Sequence, residues 1–542
     1  LDCIANRAEV IPIIEATGQR FKADAGQTLA AILIQSVYRM HGHRQQFNEM
    51  RARLHAAESI QEMWRSTMVR TKFLSGLWRK RNQQHNNMKA LQDDLVLSWP
   101  LIRHKRRVIV HIPSVTYDVN QRKSMYDLRR EQNLTIARIC DVKDPTVDVI
   151  YVAPFHINPE TIQYWYRVLQ VGGIKDPRSR LTIVVPENLD RFPISMSLSQ
   201  LLLYSPRALK KIRNLVGTRD AYIVSAGVND DTERLALELD IPLMGPCSRE
   251  AQLYGSCAGA TSVFAEAKLM VPHGCRDIYD EQQFLLTLTK LIAAYPLIKK
   301  WTFKIEGEFQ ARGIATIEPQ RLSGHAKVVK LYKKMMEESA SQWSRPEVQQ
   351  SVQEAILSDL EASLMRWIVI MREDLYPSFT EYLTAFCKNG GSIEAQPPNV
   401  QGKPSAGLFI APTGEVSLVC SHDNVYHNNF FHTAGIFPQQ SVPAAAIYGA
   451  SKAVGRVLFQ KGIFGYVEID FVSWFDNARN MPALWATDLQ LKYSRNMASF
   501  NMFDFMTRGH FNAIDGQYIV EFTSESDAKN VGRASSASRK RL

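Results

Sequence analysis

Two short segments near the C-terminal end, Glu468-Ile469-Asp470 and Asp488-Leu489-Gln490-Leu491-Lys492, have residue types and a spacing suited to holding a cation. Positions 470 and 488 are 18 apart, with a polar turn at 476–482 between them. That arrangement predicts a pair of neighbouring strands. A spacing of two places Asp488 and Gln490 on one strand face. Oxygen-bearing side chains converging from adjacent strands are what a hard cation such as Mg²⁺ takes as ligands.

A second spacing lies near the N-terminus. Ile34-Gln35 is followed by Arg39, Arg44 and Phe47, and 26 residues later Ile60-Gln61 is followed by Arg65, Arg70 and Phe73 in identical register. On a helix Ile34, Val37 and Tyr38 gather on one side with Arg39 and Arg44 flanking them. Phe47 comes round to nearly the opposite side at ~100° per residue, so a partner must wrap the helix. A basic amphipathic rod of this kind suits an acidic, Met-rich groove.

The pattern resembles the tandem IQ motif of calmodulin-binding proteins in its Gln, both basic positions and the closing apolar residue of each copy. The resemblance implies calmodulin or calmodulin-like light chains as partners, up to two. The family's glycine after the first Arg is replaced here by Met40 and Ser66. That leaves less room for a lobe to approach the helix.

The element that must carry both copies is a long helix. No proline occurs between Pro12 and Pro100, and only Gly18, Gly26, Gly42 and Gly76 interrupt the stretch. A helix from about residue 27 into the low eighties is expected. It would set the copies ~39 Å apart at ~1.5 Å per residue, and rotate them by roughly 80°. Trp64 and Trp78 could anchor a partner or dock the rod onto the rest of the chain.

The charge follows the same division. The 542 residues carry a net charge of +11. Residues 33–108 hold 15 Lys and Arg against 5 Asp and Glu, so the remainder is close to neutral. Binding of nucleic acid by the large domains is not supported, because phosphate neutralisation needs clustered cations there. Nucleic-acid association through the basic rod is the alternative this leaves.

Seven scattered cysteines with no CxxC pair argue for reduced thiols in the cytoplasm or nucleus and against a structural zinc site. With no apolar run of 18 or more, no membrane span is expected. A first residue of Leu rather than Met predicts a fragment or processed form.

After Pro100 apolar strands at 108–112, 147–155, 181–186 and 221–225 alternate with helical stretches at 160–171, 198–204 and 208–215. This α/β pattern predicts a parallel sheet covered on both faces, a Rossmann-like domain over 101–245. There is no GxGxxG and so no dinucleotide fingerprint. From 246 to 523 the pattern is α+β. It has helices at 262–269, 281–294 and 347–372, and strands at 301–305, 391–395, 406–411, 415–421, 465–472 and 484–491. The tail, 524–542, is polar and basic and reads as disordered.

A Rossmann-like domain followed by this α+β body resembles the ATP-grasp fold. Three segments carry the likeness: Phe303-Lys304-Ile305-Glu306-Gly307 running on to Gly313, Gly390-Gly391-Ser392-Ile393-Glu394-Ala395, and Ser421-His422-Asp423-Asn424. The resemblance implies ATP and Mg²⁺ as ligands. It makes Lys304, Gly307, Gly313 and Glu394 nucleotide-binding residues, and Asp470, Asp488 and Gln490 the metal set. Three positions depart from the family: Asp488-x-Gln490 replaces Glu-x-Asn, Cys257 stands at the earlier phosphate-binding lysine, and Gln310-Ala311 replaces glycines. Three defects in one site point to a degenerate enzyme rather than an active one.

Tandem IQ copies ahead of an ATP-grasp-like region imply membership of a calmodulin-binding family of male germ cells. Such proteins would act at the cilium or flagellum within an axonemal or other large assembly. The expected protein is therefore an interaction scaffold with a pseudoenzyme body. An ATP-dependent carboxylate–amine ligase and a nucleic-acid-associated regulator are the alternatives.

Overall fold

The computed structural model describes residues 5–15, 25–308, 311–427, 430–476 and 480–520. The expected basic tail, Cys3 and residues 309–310 of the loop after Lys304 lie outside the described residues. The chain divides into two compact units, Leu1–Gln83 and Gln84–Leu542.

In the first unit a short helix, Arg7–Glu15, precedes a long one, Gly26–Ile102, whose last turns from Gln84 belong to the second unit. The long helix runs some twenty residues beyond the expected end. The reason is a stripe of buried residues, Met88, Gln92, Leu95 and Trp99, spaced 4, 3 and 4 apart. That is one face of a 3.6-residue period, and tertiary burial of such a face is what stabilises most helices. Pro100 falls in the final turn, and the helix ends two residues later.

The second unit opens with four parallel strands: β1 (Arg107–Ile112), β2 (Val147–Val152), β3 (Leu181–Val184) and β4 (Ala221–Ser225). Their order is β3-β2-β1-β4. β1 and β2 are buried at every residue, as expected of strands covered on both faces. One face packs on the helices Leu198–Leu203, Pro206–Val216 and Asp230–Leu239, through Leu202, Leu209, Ile212 and Leu235.

Two antiparallel systems follow. β5 (Gly274–Ile278), β6 (Trp301–Ile305), β7 (Ile314–Ile317), β8 (Val369–Ile370) and β9 (Gly391–Ala395) form a sheet of order β5-β9-β6-β7-β8. Its core is Phe284, Trp301, Phe303, Leu360 and Phe386, supplied partly by the helices Glu281–Ala294, Pro346–Trp367 and Phe379–Asn389. The helix expected over 347–372 stops at Trp367, because β8 then pairs with β7.

The larger sheet has β10 (Val400–Gly402), β11 (Pro404–Ile410), β12 (Val416–His427), β13 (Phe431–Ile436) and β14 (Gly465–Asp476) in the order β10-β14-β11-β12-β13. β15 (Met481–Gln490) pairs with β14. The helices Cys257–Glu266, Ala444–Gln460 and Arg495–Thr507 join this sheet to the parallel one in a common core that includes Phe264, Leu408, Val454, Ile469 and Phe505. Gly465, at φ +98°, lets β14 start against the backbone after β4: a Cβ there would lie 2.6 Å from the Met244 carbonyl oxygen.

Candidate functional site

The expected metal residues come together. In the β14–β15 pair Asp470 is directly opposite Asp488, and Glu468 is opposite Gln490. Gln490 Nε2 donates to Asp470 Oδ2 at 3.1 Å and to Asp488 Oδ2 at 3.3 Å. From β12, on the far side of β11, Asn424 Nδ2 donates to Asp470 Oδ1 at 3.3 Å. Asn496, at the start of the helix Arg495–Thr507, donates to Glu468 Oε1 at 3.0 Å and to Asn424 Oδ1 at 3.1 Å.

Burial, then the charges of Glu468 and Asp488, push the Asp470 carboxyl well above the usual carboxylate range, against the hydrogen bond from Gln490. Glu468 is also shifted up, chiefly by burial. Two carboxyls pushed upward by burial, with the Asp488 carboxylate directly opposite one of them, form a set that a divalent cation would relieve. The donors are hard oxygens, as Mg²⁺ requires. Gln490 turns its NH₂ to both carboxylates, so it would serve as a ligand only by turning its amide over.

The phosphate side is held differently. Lys304 on β6 reaches diagonally to Glu394 on β9, with Nζ 2.6 Å from Oε2. Arg276 Nη2 lies 3.3 Å from the other oxygen of Glu394. Burial opposes the Lys304 charge, but Glu394, Cys257 and Asp488 outweigh it and the net shift is upward. Lys304 is therefore a fixed cation, already paired.

Cys257 opens the helix Cys257–Glu266, and its N–H donates to both Glu306 oxygens, at 3.1 and 3.2 Å. A carboxylate thus occupies the positive end of the helix, a place where phosphate is favoured. Burial raises the Cys257 thiol and, despite these hydrogen bonds, the Glu306 carboxyl as well.

Gly307 has φ +77° with open space around it, and its carbonyl accepts from Gln121 Nε2 at 2.9 Å. The Gly313 carbonyl closes the loop, taking the Ile305 N–H at 2.9 Å and the Tyr382 hydroxyl at 3.0 Å. The loop is braced at both described ends.

In the first unit the IQ residues lie on one continuous helix and face solvent. Ile34 is 68% exposed, Phe47 62%, Ile60 66% and Phe73 65%. Gln35, Arg39, Arg44, Gln61, Arg65 and Arg70 are exposed too. Trp64 and Trp78 are likewise exposed.

Sequence reasoning left out Glu468, Asn424, Asn496, Glu306 and Arg276 as members of this site. Glu468 was legible, since it shares the Asp470 face at a spacing of two. Asn496 and Arg276 arrive from a helix and an edge strand far along the chain, and no local pattern marks them. His422 lies inside β12 and is buried. Asp423 beside it accepts the Gln440 and Ser441 N–H groups at 2.6 and 3.1 Å, which is a structural duty.

Residues 248–514 match the family described as IQCH-like, ATP-grasp, and residues 28–48 match the IQ calmodulin-binding motif, which covers the first copy. IQ motif-containing protein H of Danio rerio is 30% identical over 528 residues, 94% of this chain. The chain spans 49% of that relative's length. Among solved structures, the biotin carboxylase domain of Hydrogenobacter thermophilus 2-oxoglutarate carboxylase, in complex with MgADP, ADP and bicarbonate, is 12% identical, with a TM-score of 0.40 and coverage of 73% of this chain and 68% of that one. A Campylobacter jejuni biotin carboxylase–beta-gamma-ATP complex is 9% identical, with a TM-score of 0.41 and coverage of 78% of this chain and 73% of that one.

Proposed function

We propose that this chain, similar over most of its length to IQ motif-containing protein H, is a calmodulin-binding interaction protein whose ATP-grasp-like body is catalytically weakened. The observation that carries the reading is the exposure of Ile34, Phe47, Ile60 and Phe73 on a helix that also presents Arg39, Arg44, Arg65 and Arg70. Large apolar side chains left in water at motif positions mark a surface awaiting a partner. The two copies offer one or two light-chain seats.

Titration calorimetry of calmodulin into the whole chain, with calcium and with chelator, tests this. Saturable heat in either condition supports it, and no heat in both rejects it. The germ-cell and flagellar setting implied by the resemblance is proposed with it. Fractionating sperm into heads and tails would test the setting.

A second reading is favoured by the Glu468, Asp470, Asp488 and Asn424 cluster, which suits Mg²⁺ on a nucleotide. There Asp470 and Asp488 would hold the ion, and Lys304 would face the phosphates once released from Glu394. The bound ion would supply charge neutralisation at the phosphates. Two features argue for binding without efficient turnover. The thiol of Cys257 brings no positive charge, and Glu306 sits on the helix end where a phosphate would go. Millimolar MgADP should raise the melting temperature of the chain and leave an Asp470→Asn, Asp488→Asn variant unmoved. Equal shifts in both would place the nucleotide elsewhere, and no shift in either would remove this reading.

A further inference from the structure

Away from the nucleotide-type site, His85, Glu233 and Cys247 bring an imidazole nitrogen, a carboxylate oxygen and a sulfur within 4.8 Å of one another. We propose that these three residues form a binding site for a zinc-type divalent transition metal. All three belong to the second unit, and Glu233 and Cys247 are buried, at 7% and 6% exposure, while His85 is half-buried.

Each donor is aimed by ordinary fold features. His85 precedes Met88 and Gln92 on the buried stripe of the long helix, one and two turns on. Glu233 lies in the first turn of the helix Asp230–Leu239, and Cys247 is the N-cap residue of the helix Ser248–Tyr254. Outer hydrogen bonds hold the buried pair. Glu233 accepts the Ser248 N–H, and Ser248 Oγ donates to Asp230 Oδ1 at 2.6 Å. Cys247 Sγ donates to Gln92 Oε1 at 2.7 Å, and Gln92 Nε2 donates to the Gly245 carbonyl at 2.6 Å. The bonds around Glu233 are of the kind that orient metal ligands, whereas the Cys247 S–H bond to Gln92 is given up when the thiol binds metal as thiolate.

The donor chemistry selects the ion. One sulfur, one nitrogen and one oxygen match zinc, whose bonds of ~2.0–2.3 Å put tetrahedral donors roughly 3.4–3.8 Å apart. The three donor atoms, within 4.8 Å of one another, need only small side-chain movements to reach that spacing. Mg²⁺ and Ca²⁺ prefer oxygen alone and do not choose a thiol. On binding, the thiol releases its proton, so thiolate and carboxylate together cancel the charge of the dication in a buried place. The fourth position falls to water or to Gln92 Oε1, beside the sulfur. No short ligand spacing announces the site, because its members are 148 and 14 residues apart.

The test uses the whole chain, stripped with chelator and titrated with Co(II). One equivalent should produce a thiolate-to-cobalt charge-transfer band and the visible bands of tetrahedral cobalt, and one equivalent of Zn(II) should erase both. Cys247→Ser should lose the charge-transfer band, and His85→Ala should weaken affinity at least ~10-fold. Serine is a strong N-cap, so the first variant is expected to fold. Should it not fold, His85→Ala decides alone. Absence of the band in the parent chain, the same band in Cys247→Ser, or unchanged affinity in His85→Ala would each overturn the site.

Discussion

Asp470 on β14 stands directly opposite Asp488 on β15, and one amide group, Nε2 of Gln490, bridges the two carboxylates at 3.1 and 3.3 Å. In an antiparallel pair like charges directly opposite one another destabilise the sheet. Here a neutral donor reduces the repulsion, and burial with the neighbouring charges pushes the Asp470 carboxyl well above the usual carboxylate range.

The pH dependence follows from the direction of these shifts. Asp470 and Glu468 ionise in the unfolded chain near about 3.9 and about 4.3, and both are shifted upward in the fold. Above about pH 4 the folded state therefore binds more protons than the unfolded one. Stability is fully present below that point and falls as pH rises through the folded values. Mg²⁺ should offset the loss, so its effect on the melting temperature should grow as pH rises above about 4. Melts in chelator and in Mg²⁺ check this, and a Mg²⁺ effect independent of pH would contradict it.

Glu306 holds the N-terminus of the helix Cys257–Glu266 as a phosphate would. Replacing it by Ala should uncover that N–H and tighten ADP binding, by roughly tenfold if ~1–1.5 kcal/mol of anion competition is removed. Equilibrium titration of ADP with the parent and Glu306→Ala chains measures it. Equal or weaker affinity in the variant would mean that Glu306 is not a competitor.

Reversing Arg39, Arg44, Arg65 and Arg70 to Glu should abolish calmodulin binding and leave thermal stability nearly unchanged. The four side chains are exposed, and surface substitutions away from caps and cores cost about 0.5 kcal/mol or less. Gln35→Ala with Gln61→Ala should weaken the complex with equally little effect on the fold. Retained binding in the reversed variant would remove the IQ helix as the docking element.

Gly465→Ala should destabilise the second unit by about 2 kcal/mol or more. It adds a Cβ 2.6 Å from the Met244 carbonyl and forces alanine into a positive φ of +98°. Urea unfolding followed by tryptophan fluorescence reports it, and a midpoint within error of the parent would show that the strand start relaxes freely.

Much of this protein is local and could be read along the chain. The apolar runs of β1 to β4 alternating with helices give a buried parallel sheet, because a strand covered on both faces has no polar side to show. The helix over the two IQ copies follows from the absence of proline. The likeness of Asp470, Asp488 and Gln490 to a cation set rests on a two-residue period and a turn. Even so, the end of the long helix was missed, since the stripe from Met88 to Trp99 declares itself only against the sheet that buries it. The helices Ala444–Gln460 and Arg495–Thr507 were also left out, although Asn496 on the second completes the acidic network.

What the sequence determined by itself was the set of ingredients: a basic helix with two registered motifs, a parallel sheet, and oxygen and lysine side chains placed on strands. What only the tertiary structure decided was their state. Lys304 proves to be held by Glu394, Glu306 to cover a helix end, and His85 to meet Glu233 and Cys247 across 148 and 14 residues. The physical reason is range. Helical and strand periods act over a few residues, whereas charge pairing and ligand convergence depend on distances in space, which are set only when the core closes.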